Sequence, residues 1–167
     1  MRRTTVNEIA VTTLDTPIGP LRVEASPAGL RRVVFGGKGS ARTESKEAQK
    51  HLDEALRQLR QYFAGKRDTF DLPLDLEGTE HQKRVWRVLL GIPFGRTLTY
   101  GEVAKRLGIP HSARAVGRAC ATNPVPVVVP CHRVLGGDGK LHGFGGGLWR
   151  KRALLEHEGV LTPELRN

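Results

Sequence analysis

The chain has 167 residues, 38% of them hydrophobic, and a formal net charge of +10, which suits one ordinary domain or two small ones sharing an interface. No apolar run approaches the ~18 residues of a membrane span, and none follows Arg2 and Arg3 as a secretory leader requires. Two cysteines are too few for a disulfide scaffold or a cysteine-rich zinc site, and the histidines show no metal-binding spacing. The expectation is a cytosolic (cytoplasmic) protein with free thiols, no membrane association, no metal and no cofactor. The basic excess is uneven: residues 1–75 hold 13 Lys/Arg against 10 Asp/Glu, residues 76–167 hold 14 against 7. Such an excess favours a polyanionic partner, though it does not identify one.

Turn signals at Asp15–Pro20 and Ser26–Gly29 separate three apolar runs, Ile9–Leu14, Leu21–Ala25 and Leu30–Phe35, which predict an antiparallel meander. Gly36–Ser45 is a polar loop. Lys46–Phe63 reads as a helix with Leu52, Leu56, Leu59 and Phe63 on one stripe and Gly65 as its stop. Phe70–Leu76, with Pro73, is extended and bridges to a second half.

Beyond Gly78 the pattern turns to short helices. Thr79–Gln82 has capping-box spacing, and Val85, Val88, Leu89 and Ile92 follow at helical period before Pro93-Phe94-Gly95. Tyr100–Leu107 and Ala113–Ala121 are two further helices around a Gly108 turn, with Ser112 as N-cap and Ala115, Val116 and Ala119 on one side. The pair reads as a helix-turn-helix or as a plain helical hairpin, and Arg114 and Arg118 on the second helix favour the first. Asn123-Pro124-Val125-Pro126 is a rigid link, and Val127–Val129 reads as a buried strand ending at Pro130-Cys131-His132-Arg133. Gly136–Gly147, with seven glycines, is a loop. Leu148–His157 is a last helix with Trp149, Ala153 and Leu154 as its apolar side, followed by a loose tail after Gly159.

Cys131, at the end of a buried run and beside His132 and Arg133, is either a structural cysteine or a nucleophile. Neighbouring positive charge or a base raises its thiolate fraction. The glycine-rich loop that follows allows a ligand to approach backbone closely. Glu158 is a possible orienting partner for His132.

Taken together these segments resemble the O6-alkylguanine-DNA alkyltransferase family. The resemblance is carried in order by Gln82–Trp86, Ile92–Gly95, Thr99–Ala104, Ala113–Gly117, Asn123–Pro126, Pro130–Val134, Gly143–Leu148 and His157–Gly159, with looser matches at Thr16–Leu21 and Tyr62–Gly65. It implies an α+β fold: an N-terminal domain of antiparallel sheet plus helix over 1–76, and a mainly helical domain over 77–167 with a winged-helix-like helix-turn-helix and the active-site strand. It implies direct-reversal repair, in which the alkyl group of O6-alkylguanine (O4-alkylthymine also) in double-stranded DNA passes irreversibly to Cys131, once per molecule. The protein would be a monomer in solution, with cooperative assembly on DNA left open.

By the same resemblance His132 is the base, Glu158 orients it, Tyr100 donates to the guanine, and Asn123 braces the turn before the acceptor. Arg114 is the finger that enters the base stack. Ala115, Ala119, Tyr100 and Arg133 are the other DNA contacts. Phe144, Gly145, Gly146, Val134 and Cys120 line the substrate pocket. Phe144 stands where many members carry tyrosine, and no cysteine of the first half could hold the zinc that some members bind. Three rival classes differ in their tests: a lesion sensor binds without transfer, a thiol hydrolase turns over without DNA, and a transcription regulator selects a sequence.

Overall fold

The computed structural model describes residues 6–162; Arg2 and Arg3 lie outside them. The chain divides into two compact units, Met1–Glu77 and Gly78–Asn167.

In the first unit, β1 (Ala10–Leu14), β2 (Leu21–Ser26) and β3 (Gly29–Phe35) form the expected antiparallel meander. Leu14 faces Leu21, Val23 faces both Thr12 and Val33, and the register slips at Glu24/Ala25. Leu21, Val23 and Ala25 alternate onto one buried face, and α1 (Lys46–Phe63) packs across it. Ser45 caps α1 by accepting from the Ala48 N–H. Gly65, at φ +73°, closes it: its N–H donates to Tyr62 and that of Lys66 to Gln61, a left-handed stop that favours glycine. The buried stripe of α1 is Ala48, Leu52, Ala55, Leu59 and Tyr62, with Leu56 and Phe63 only half-buried. It is rotated from the expected one because alanines fill the tightest approach to the sheet. Phe70–Leu76 turns back onto β3 as a single bridge, Leu30 to Leu74. There the Leu30 N–H donates to the Pro73 carbonyl and the Asp75 N–H to that of Leu30.

In the second unit, α2 (Glu80–Leu90) starts at Thr79 and α3 (Tyr100–Arg106) at Thr99, both with complete capping boxes. They pack with each other and with α4 (Ala113–Ala121). The Trp86 indole, 1% exposed, donates to the Ala119 carbonyl at 2.9 Å and ties α2 to α4. Ser112 stands at the start of α4 but makes no side-chain cap. A two-residue strand, β4 (Leu98–Thr99), pairs in parallel with β5 (Val134–Leu135). β4 runs directly into Tyr100, and β5 directly follows Cys131–Arg133. This pairing brings two distant stretches of sequence to one place.

Val127–Val129 is not a strand. All three valines are buried, but they form a turn, with Pro126 bridged to Val129 and Val127 at φ +76°. Pro124, Pro126 and Pro130 remove the N–H donors a ladder needs, and Asn123 closes the turn instead. Cys131–Arg133 is accordingly a 3-10 turn rather than a strand end. α5 (Leu148–His157) buries Lys151, Leu154 and Leu155, while Trp149, expected on its apolar side, is 53% exposed. Gly159, at φ +78°, ends α5, and the Val160 and Leu161 N–H groups bond back to Leu155, so the chain is still anchored there. The rest of the expected loose tail, beyond residue 162, lies outside the described residues.

Candidate active site

Cys131 is 6% exposed and is held by the turn before it. Asn123 Nδ2 donates to the Val129 carbonyl at 2.8 Å, and Asn123 Oδ1 accepts from the Val125 N–H at 2.9 Å. The Asn123 side chain also hydrogen-bonds the Cys131 sulfur. The Cys131 N–H donates to Val129 at 2.8 Å. Burial pushes the thiol up. The Asn123 hydrogen bond, the Lys151 ammonium and the backbone N–H groups of Cys131 and His132 oppose that rise.

His132 is fully buried. Its Nε2 lies 2.8 Å from Glu158 Oε2, and its Nδ1 has no hydrogen-bond partner among the described residues. Burial holds the imidazole below its ordinary value against the pull of Glu158, and Arg133 and Lys151 push the same way as burial. The ring is therefore neutral at pH 7. The carboxylate on Nε2 fixes the proton there and leaves Nδ1 with a lone pair. That tautomer follows from the partners.

Arg133 does not face solvent as a DNA contact would. It is 6% exposed, with Nε and Nη2 on Glu158 Oε1 and Oε2 at 2.7 and 2.9 Å and Nη1 on the Ile92 carbonyl at 2.7 Å. The turn points residue 133 inward, where a buried carboxylate needs a counter-charge. Ala119, expected as a DNA contact, is likewise 2% exposed, and its carbonyl accepts the Trp86 indole N–H. Ala115 is half-buried, and its carbonyl meets His81 Nε2 at 3.3 Å. Arg114 and Arg118 are exposed on α4.

Tyr100 lies over α4 at Gly117, with ring carbon Cε1 3.9 Å from where a Cβ would stand. Its hydroxyl donates to the His142 carbonyl at 3.4 Å and accepts from Lys151 Nζ at 3.5 Å. Both bonds are long and hence weak. Burial first, and then the two thiols, push the phenol up to about 12. Cys120 is likewise pushed up to about 12, by burial and then by Cys131, against Lys151. Cys120, Cys131, Tyr100 and Lys151 are thus near enough to shift one another's titration. Val134 is buried, Gly146 is buried, Gly145 is exposed and Phe144 is half-buried in the glycine loop. The Gly147 N–H donates to the Phe144 carbonyl at 2.8 Å.

Sequence reasoning missed Lys151. Its side chain is fully buried and donates to the carbonyls of Val134 (2.7 Å) and His142 (2.9 Å) as well as to Tyr100. It thus links β5, the glycine loop and the phenol. Inside Arg150-Lys151-Arg152 it reads as one of three surface cations; the available signal was its position three residues before Leu154, on the same helix face as the buried pair Leu154-Leu155. Among the described residues no cluster of His, Cys, Asp and Glu could hold a metal.

A buried cysteine beside a buried His–Glu pair, next to two packed helices with exposed arginines, suits thiol chemistry on a nucleic acid. Residues 9–76 match the 6-O-methylguanine DNA methyltransferase ribonuclease-like domain, and residues 80–160 match the DNA-binding domain of the same family. The chain is 47% identical over 153 residues to the methylated-DNA–protein-cysteine methyltransferase of Mycobacterium tuberculosis, covering 90% of this chain and 93% of that one. It is 46% identical over 149 residues to its Methanosarcina acetivorans counterpart, covering 87% and 95%. The crystal structure of the M. tuberculosis O6-methylguanine methyltransferase superposes with a TM-score of 0.80 at 44% identity, over 93% of this chain and 95% of that one. That of M. tuberculosis OGT in complex with DNA superposes with a TM-score of 0.76 at 45% identity, over 89% and 91%. The chain belongs to the 6-O-methylguanine DNA methyltransferase family.

Proposed function

We propose that this protein repairs O6-alkylguanine in double-stranded DNA by moving the alkyl group onto Cys131, with each molecule acting once. The observation that carries this reading is the buried relay: a thiol next to a neutral imidazole whose Nε2 is held by Glu158 and whose Nδ1 is unpartnered. The thiol proton passes, through a water, to His132 Nδ1. The thiolate attacks the sp3 carbon in line, the S–C bond forms, and the C–O6 bond breaks. Guanine leaves with the electron pair and takes up a proton, so one S–H is exchanged for one N–H. Tyr100, held only by two long hydrogen bonds, turns its hydroxyl to the departing base, and Lys151 beneath it stabilises the negative charge. The thioether is not hydrolysed, which makes the reaction stoichiometric.

O6 lies inside the duplex, so the nucleotide must leave the stack, at a few kcal/mol that damage reduces. Exposed Arg114, at the start of α4, enters the gap as a wedge, and the basic surface of the second unit neutralises phosphates. The pocket is closed by Val134, Cys120 and the Phe144–Gly146 loop. Two domains, divided at residue 76, and action as a cytoplasmic monomer complete the proposal. No described helix is long and apolar enough to cross a membrane. The test is a titration of protein with duplex carrying labelled O6-methylguanine: repair should plateau at one lesion per protein. Repair of many lesions per molecule, or none at any ratio, refutes the reading.

A further inference from the structure

We propose that Arg133 is a positioning residue for alkyl transfer: it clamps Glu158 as a fixed, ionised acceptor, which in turn holds His132 by Nε2 and keeps the Nδ1 lone pair available as the base. The inference rests on the transfer reading above and assigns to Arg133 a part in it.

The geometry is specific. Both Glu158 oxygens are engaged by the guanidinium, at 2.7 and 2.9 Å, and Oε2 also receives His132 Nε2 at 2.8 Å. The third arm of Arg133 is anchored on the Ile92 carbonyl just past α2. A bidentate pair fixes the carboxylate plane, and with it the direction from which Oε2 accepts the imidazole N–H. The Phe94 ring lies 6.0 Å from the guanidinium carbon and closes the site on that side.

Glu158 occupies an unfavourable place. It is the C-cap residue of α5, where the helix end already carries partial negative charge, and it is 4% exposed. A lone carboxylate there would take up a proton, either on itself or through His132. Arg133 supplies the missing charge. The charged groups that face His132 are Lys151 from α5, Glu158 at its C-cap and Arg133 from its own turn; the α2 side presents the Ile92 carbonyl to Arg133. Of these, only Arg133 binds both oxygens of the residue that orients the ring. Removing it leaves the His132–Glu158 pair with an uncompensated negative charge, so the pair takes up its first proton at higher pH and the base is lost sooner as pH falls.

The test is the rate of Cys131 alkylation by free O6-benzylguanine from pH 5.5 to 9, read by intact mass, for wild type, Arg133→Met, Arg133→Lys, Glu158→Gln and Arg133→Met/Glu158→Gln. For Arg133→Met the acid limb should move up by about one pH unit or more, so that near the wild-type midpoint its rate falls about tenfold below its own plateau. Arg133→Lys, which keeps the charge, should return most of that shift. If the Met variant does not fold, the double variant decides. Its plateau should match that of Glu158→Gln within about twofold, because Arg133 acts through Glu158. A Met profile with an unmoved midpoint overturns the inference, as does a double variant tenfold or more slower than Glu158→Gln. A wild type that never reacts refutes the transfer reading itself, and this inference with it.

Discussion

Asn123→Ala removes the brace that shapes the acceptor turn. Two backbone hydrogen bonds are lost, at 2.9 Å from the Val125 N–H and 2.8 Å to the Val129 carbonyl, and both valines are 0% exposed. The Val129 carbonyl keeps a donor in the Cys131 N–H at 2.8 Å, so that loss is about 1 kcal/mol. The Val125 N–H is left buried without a partner, at about 1–3 kcal/mol. The expected destabilisation is therefore about 2–4 kcal/mol, read from the urea midpoint at unchanged slope. The same change removes a hydrogen bond that favours the thiolate, so transfer to free O6-benzylguanine should slow about tenfold or more, at about 1.4 kcal/mol per tenfold. Asn123→Asp keeps an acceptor for Val125 but sets a carboxylate beside the sulfur. It should be the more stable of the two variants and the slower in transfer. An alanine variant within about 0.5 kcal/mol of wild type, reacting at the wild-type rate, would refute the reasoning.

Cys131→Ala should abolish transfer while binding to alkylated duplex, measured by fluorescence anisotropy, survives. Arg114→Ala should slow repair in duplex far more than reaction with free O6-benzylguanine; equal losses would remove its role as a wedge. Val127 sits at φ +76°, so Val127→Gly should be more stable to urea than Val127→Ala, reversing an order that elsewhere favours alanine by about 0.5–1 kcal/mol. His132 is held neutral by burial. The unfolded chain therefore binds a proton first as pH falls, and both stability and transfer rate should be steady near pH 7–8 and decline below the ordinary histidine range, about 6.5. A rate that rises on acidification would contradict the assignment of the base.

Much of this fold was legible because local rules and packing agree. The bounds of α1 follow from its apolar period and the Gly65 stop, the start of α2 from its capping box and the end of α5 from Gly159, and the meander from turns at Asp15–Pro20 and Ser26–Gly29. The acceptor motif and Glu158 were legible as types in order along the chain, and the structure brings His132 and Glu158 together at 2.8 Å. What was not legible depends on burial that polar residues do not announce. Arg133 and Lys151 read as surface cations, yet each is enclosed because a carboxylate or a set of carbonyls awaits it. Val127–Val129 has strand composition, but flanking prolines and the Asn123 side chain make a turn of it. β4 and β5 are two residues each, too short for a period, although their pairing is what brings Tyr100 beside the acceptor.

The most direct test is intact-protein mass spectrometry after mixing with a duplex that carries one O6-methylguanine, followed by peptide mapping. The account predicts a gain of one methylene per protein, carried by the peptide containing Cys131, with Cys120 unmodified. No gain in mass with binding intact would mean a lesion sensor, and a gain located on any other residue would contradict Cys131 as the acceptor.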